Sequence, residues 1–154
     1  MDSYIYFRKT TMVIWAMVIA VLIVLAGRPF AVISHAQGAA TIWDGIYTDD
    51  QAKRGQTLYT DQCAACHGET PVGTAMAPGL TGDDFLADFG NNTMDQLFKR
   101  ISQTMPANDP GKLTAPQVAD VIAYLASANK WPAGMKEMPS TTDALAQIKI
   151  IKKP

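Results

Sequence analysis

Along this chain, hydrophobic and polar positions repeat with helical spacing, and no stretch sustains the two-residue alternation of a strand. Three segments open on Thr-x-x-Gln, the signature of a capping box: Thr48 to Gln51, Thr93 to Gln96 and Thr114 to Gln117. They predict helices from Thr48 to about Asp61, from Thr93 to Thr104, and from Thr114 to about Ala128, where Asn129 stands as a stop. Asp49, Asp50, Asp95 and Asp120 lie toward the positive helix starts. A shorter helix is predicted from Thr81, carrying Phe85, Leu86 and Phe89. Ala52, Gly55 and Tyr59 share one face of the first helix, while Val121, Tyr124, Leu125 and Ala128 form a stripe on the third. These two helices are predicted to cross closely at Gly55. The fold class is all-α.

The N-terminus has a different pattern. Arg8 and Lys9 precede fifteen uncharged residues, Met12 to Ala26, and Ser34-His35-Ala36 supplies small residues before Gln37. A positive head, an apolar run and small residues in that order predict a secretory signal peptide cut after Ala36. An uncleaved membrane anchor is the competing reading, although Arg28-Pro29 interrupts the run short of the ~20 apolar residues a span requires. Either way, the remaining domain lies outside the cytoplasm. Four segments follow: 1–36 as signal or anchor, 37–47 as a lead-in, 48–130 as the main domain and 131–154 as a C-terminal strap. In the strap, Ser140 or Thr141 is expected to cap a short helix over Asp143 to Ile148.

The 13 basic and 14 acidic side chains leave the chain near neutrality, which argues against nucleic acid as a partner. Hydrophobic residues at 48% exclude a disordered chain. Cleavage would leave 118 residues with 10 basic and 13 acidic groups. A chain this small buries only ~60–70% of its unfolded surface, so a group added to the core would help it.

Cys63-Ala64-Ala65-Cys66-His67 supplies such a group. C-x-x-C-H is the pattern of covalent haem attachment. Residues three and four apart share a helix face, so both thiols reach one porphyrin edge and His67 comes under the iron. A disulfide would leave the adjacent histidine unexplained. A thioredoxin-type pair needs strand–helix–strand surroundings. A zinc site needs four ligands, and beyond Ala36 the chain has two cysteines and one histidine. One covalent haem c, held through Cys63 and Cys66 with His67 as proximal ligand, is the expected cofactor.

With His67 the only histidine beyond residue 36, bis-histidine ligation within one chain is excluded. Five methionines remain: Met76, Met94, Met105, Met135 and Met138. Met105 is the expected sixth ligand. It follows a helix, precedes the helix-stopping Pro106, and lies far enough from His67 for the chain to pass round the haem. The alternative role for any of these methionines is core filling.

In order, Gly55, Tyr59, Cys63-x-x-Cys66-His67-Gly68, Ala77-Pro78-Gly79-Leu80, Met105-Pro106 and Val121-Ile122-Ala123-Tyr124-Leu125 resemble the pattern of class I c-type cytochromes, over about Thr48 to Asn129. The resemblance implies a small helical bundle around one haem, with Pro78 and Leu80 at the cofactor and the Pro78 carbonyl orienting His67. Phe89 departs from the pattern, since many relatives carry Trp there. The Trp43-Asp44-Gly45-Ile46-Tyr47 lead-in and the Trp131-Pro132-Ala133-Gly134 tail look like bacterial monohaem cytochromes that accompany periplasmic dehydrogenases.

The resulting expectation is a periplasmic one-electron carrier, not an enzyme, with a dehydrogenase as donor and an oxidase or another cytochrome as acceptor. It would meet the membrane only if the N-terminal segment stays uncleaved. Two other readings remain open: a haem protein whose free distal side binds or reduces a small ligand, and a fixed subunit of an oxidoreductase complex.

Overall fold

A computed structural model describes residues 40–153; the signal or anchor expected over 1–36 lies outside the described residues. Among the described residues, six helices and two very short strands follow in order: β1 (Ala40–Thr41), α1 (Asp49–Gln62), α2 (Ala64–His67), α3 (Gly82–Phe89), α4 (Met94–Thr104), α5 (Ala115–Ala128), α6 (Thr142–Leu145) and β2 (Ile148–Lys149). The all-α class holds, since the strands contribute two residues each.

The α1–α5 pair is the most extensive contact between elements. Ala52, Gly55 and Tyr59 are among the buried residues of α1, and Val121 and Leu125 among those of α5. Gly55 is required there. A Cβ at that position would lie 1.8 Å from the Asp120 carbonyl oxygen and 3.0 Å from Tyr124 Cβ. One turn on, the Tyr59 and Tyr124 rings pack with centroids 5.0 Å apart. Beside the crossing, Arg54 donates to both carboxylate oxygens of Asp120 at 3.0 Å and to Glu137 at 2.9 Å. Asp120 thus serves Arg54, and not the start of α5 as its sequence position suggested.

The three Thr-x-x-Gln signals differ in outcome. At Thr114, Gln117 Oε1 accepts from the Thr114 backbone N–H at 2.9 Å, and the box is complete. At Thr48 the hydroxyl accepts from Gln51 N at 3.2 Å, but the Gln51 side chain does not turn back. It is buried and pairs with the Met138 backbone, donating to its carbonyl at 3.1 Å and accepting from its N–H at 2.7 Å. At Thr93 the hydroxyl bonds Asp95 instead, and Gln96 is exposed. A long-range partner in one case and a nearer carboxylate in the other displaced the local cap.

Beyond α5 the chain returns across the domain. Tyr47 Oη donates to the Trp131 carbonyl at 2.7 Å, and Met138, Leu145, Ile148 and Ile150 are buried. The expected helix over Asp143 to Ile148 is a single turn, Thr142–Leu145, and Ile148 belongs to β2. The extended end is held by backbone bonds on two sides. β2 pairs in parallel with β1, Ala40 opposite Ile148 and Thr41 opposite Lys149. On the other side, Asn91 N donates to Ile150 O at 2.7 Å, and Ile150 N donates to Asn92 O at 2.9 Å. Two-residue strands have no alternation to display, so the hydrophobic pattern did not reveal them.

Candidate functional site

The site is built where α1 ends. Cys63 leaves helical geometry with φ −125° and ψ −33°, closing α1 through its N–H to Tyr59 O at 2.8 Å. The chain then makes one fresh turn, with Cys66 N and His67 N both donating to Cys63 O at 3.1 and 3.0 Å. That turn keeps Cys63, Cys66 and His67 at the three- and four-residue offsets of a shared face. Both cysteines are free, Cys63 half-buried and Cys66 exposed. Burial, followed by the neighbouring Cys66, pushes the Cys63 thiol up to about 11.

His67 is buried, and its Nδ1 lies 2.9 Å from the Pro78 carbonyl oxygen. A carbonyl can only accept, so Nδ1 carries the proton and, in the neutral ring, Nε2 keeps its lone pair. Such an outer contact fixes both the tautomer and the ring plane, and strengthens the other nitrogen as a metal ligand.

The segment from Gly68 to Thr81 is an ordered loop closed by its own bonds. Gly73 N donates to His67 O at 3.1 Å, Leu80 N to Pro71 O at 2.8 Å, and Thr74 N to Ala77 O at 2.9 Å. Thr74 Oγ1 donates to Cys66 O at 2.5 Å, joining the loop to the cysteine turn. Gly73, at φ +89°, lets the two strands of the loop touch, since a Cβ there would meet Gly79 N at 2.5 Å. Tyr59 Oη donates to Gly68 O at 2.8 Å, and burial together with nearby negative groups pushes its hydroxyl up to about 12.

Asn129 escaped the sequence reading, which took it only as the end of α5. Its Nδ2 donates to Leu80 O and Leu125 O, both at 2.9 Å, and its Oδ1 accepts from Gly82 N at 3.0 Å. One amide therefore ends α5, holds the Pro78-containing loop and caps the entry to α3. An Asn beyond a helix was the visible signal; its partners 47 and 49 residues away were not.

Of the five methionines, Met94 and Met138 are buried core residues, and Met76 and Met135 are exposed. Met105 is half-buried, packs against the core and ends α4 through its N–H to Ile101 O at 3.0 Å. Cys63, Leu80, Leu86 and Phe89 are likewise half-buried and packed on the core. Phe89 stacks on Phe85 with centroids 5.1 Å apart. These residues fit a haem: two thiols one turn apart, an imidazole with a preset donor nitrogen, a thioether and incompletely covered apolar side chains.

The family model described as cytochrome C oxidase, cbb3-type, subunit III, matches residues 50–125. Over those residues the chain carries a c-type cytochrome domain, of a family of haem c electron-transfer proteins. A curated relative, the cytochrome bc1 complex cytochrome c subunit of Corynebacterium diphtheriae, is 33% identical over 90 residues. That match covers 58% of this chain and 31% of the relative, so the chain spans under a third of the relative's length. The sulfane dehydrogenase SoxCD structure from Paracoccus pantotrophus aligns with a TM-score of 0.49 and 22% identity, covering 68% of this chain and 60% of that one.

Proposed function

We propose that this chain is an exported monohaem cytochrome that carries single electrons, with one haem c attached through Cys63 and Cys66 and ligated by His67 and Met105. The observation that carries the reading is the 2.9 Å contact from His67 Nδ1 to the Pro78 carbonyl beside the two free thiols. When bound, the haem supplies a reversible one-electron couple. His67 presents Nε2, and Pro78 holds the ring against rotation. Met105 offers a soft thioether, a ligand that raises the potential relative to more basic donors. With both His67 and Met105 as ligands, no coordination position would stay open for a substrate, as a carrier requires and a ligand-binding haem protein does not.

The donor in this reading is a dehydrogenase, and the acceptor is an oxidase or another cytochrome, met in the periplasm. The relative's name, a subunit of the bc1 complex, favours a second arrangement in which the domain works as a fixed subunit. Co-purification of the native protein with other chains distinguishes the two arrangements.

Mass spectrometry of the purified native protein tests attachment and reports the cleavage site. Absorption spectroscopy tests the ligands. A low-spin ferric spectrum with the weak methionine–iron charge-transfer band is expected, and Met105→Ala abolishes that band. A wild-type ferric protein that is high-spin and binds cyanide at once would overturn the carrier reading.

A further inference from the structure

The loop from Glu69 to Thr81 and the turn that carries His67 hold each other. Gly73 N donates to His67 O, Thr74 Oγ1 to Cys66 O, and His67 Nδ1 to the Pro78 carbonyl. The base of the loop is closed at Pro71, whose carbonyl accepts from Leu80 N at 2.8 Å and from the Thr81 hydroxyl at 3.1 Å. Among the described residues, the hydrogen bonds that tie this loop to any other part of the chain end on Cys66, His67 and one further residue, Asn129.

The Asn129 amide is fully used. Leu80 O and Leu125 O each accept one Nδ2 proton, and Gly82 N donates to Oδ1. Two acceptors and one donor admit a single orientation of the amide. A carboxylate in its place would face both carbonyls with lone pairs, and a hydroxyl would bring one proton where two are needed. Leu125 is buried in α5, and α5 crosses α1, the helix that ends at Cys63. The position of Pro78 beside His67 is therefore set from two sides. One is direct, through the bonds of the turn; the other runs from α1 through α5 and Asn129 to Leu80, two residues after Pro78.

We infer that Asn129 is a positioning residue for His67: by holding the Leu80 carbonyl it sets the contact between Nδ1 and Pro78, and through it the iron's preference for the ferric or the ferrous state. The inference rests on the haem attachment and His67 ligation proposed above, and adds a residue that acts only through Pro78. A carbonyl that draws on the Nδ1 proton makes the imidazole a more basic ligand, and a more basic ligand favours ferric iron. Release of Leu80 loosens that contact, weakens the ligand and favours ferrous iron.

Two measurements on the haem-loaded protein test it: spectroelectrochemical titration of the midpoint potential, and proton NMR of the ferrous state for exchange of the His67 Nδ1 proton with solvent. Asn129→Ala is expected to raise the ferrous-to-ferric ratio at a fixed solution potential by about three-fold, which is about 28 mV at about 59 mV per tenfold. Exchange of the Nδ1 proton is expected to be about ten-fold faster, because the loop opens locally. Gln51→Ala is the control. It strips the Met138 backbone of both bonds to a buried, uncharged amide, a comparable loss to the fold. It is expected to change the ratio and the exchange rate by less than about 1.5-fold. If Asn129→Ala accumulates without haem, Asn129→Ser, with one proton in place of two, must move both readouts in the same direction.

An unchanged potential, or equal shifts in the Asn129 and Gln51 variants, overturns the positioning role while the carrier reading stands. A shifted potential with unchanged Nδ1 exchange also overturns it, since the effect would then bypass His67. A native protein that lacks covalent haem overturns the carrier reading and this inference together.

Discussion

Gly55→Ala is the sharpest test of how the scaffold positions the haem-binding turn. The added methyl would sit 1.8 Å from the Asp120 carbonyl oxygen and 2.5 Å from its carbon, whereas ordinary contact begins at 3.4 Å. Neither atom belongs to a flexible side chain, so α1 and α5 must separate by about 1.5 Å to admit it. A gap of 0.5–1 Å already forfeits roughly a quarter to a half of each contact's attraction. The loss falls on Ala52, Tyr59, Val121 and Leu125, which are buried in or beside this crossing. Overpacking of this kind costs about 3 kcal/mol, and the better helix propensity of alanine returns up to about 1 kcal/mol. The net loss of about 2 kcal/mol corresponds to a melting temperature lower by roughly 8 °C for a domain of this size. Thermal unfolding of the haem-loaded protein, followed by circular dichroism, reads it directly, with Gln56→Ala on the exposed face of α1 as control. A Gly55→Ala protein melting within about 2 °C of the parent would refute the close-crossing argument.

Two further substitutions address the strap side and the loop. Asp95 accepts from Lys99 at 2.8 Å and from the Thr93 hydroxyl, which together hold its carboxyl below the ordinary 3.8. A carboxylate with a lowered folded pKa stabilises the fold above its unfolded pKa, and that contribution disappears as pH falls through the folded value. The melting difference between parent and Asp95→Asn is therefore expected to be about 2–4 °C at pH 7, discounted because Lys99 is half exposed, and to vanish at strongly acidic pH. A difference that persists below pH 2 would contradict this. Asn129→Ala leaves Leu80 O and Gly82 N without their side-chain partner and is expected to cost about 1–3 kcal/mol. Amide exchange at Gly82 should accelerate well beyond that at buried α5 positions, and equal acceleration throughout would show a global effect instead.

The arrangement of Cys63, Cys66 and His67 was legible because three- and four-residue offsets form one face in any helical turn, whatever surrounds it. The helix starts at Thr48 and Thr81, the box at Thr114 and the close approach at Gly55 were legible for a similar reason. They depend on groups within a few residues, or on a residue too small to serve another purpose. The ends of the chain were not. Ile148 and Lys149 became a strand because residues 40–42 and 91–93 offered backbone partners on either side, an opportunity that exists only after the helices have packed.

Beyond residue 36, sequence by itself determined the chemistry available: two thiols, one imidazole and a short set of thioethers, ordered along helices that local spacing and capping define. Tertiary structure alone decided which polar groups meet across 47 to 87 residues. Gln51 left its expected cap for the Met138 backbone, and Asn129 reached Leu80 and Gly82. It also separated Met105, half-covered at the end of α4, from the methionines that fill the core or stand in water. The physical reason is range. Capping and helical offsets act within one turn, whereas the burial of an amide is favourable only where the folded chain supplies its partner.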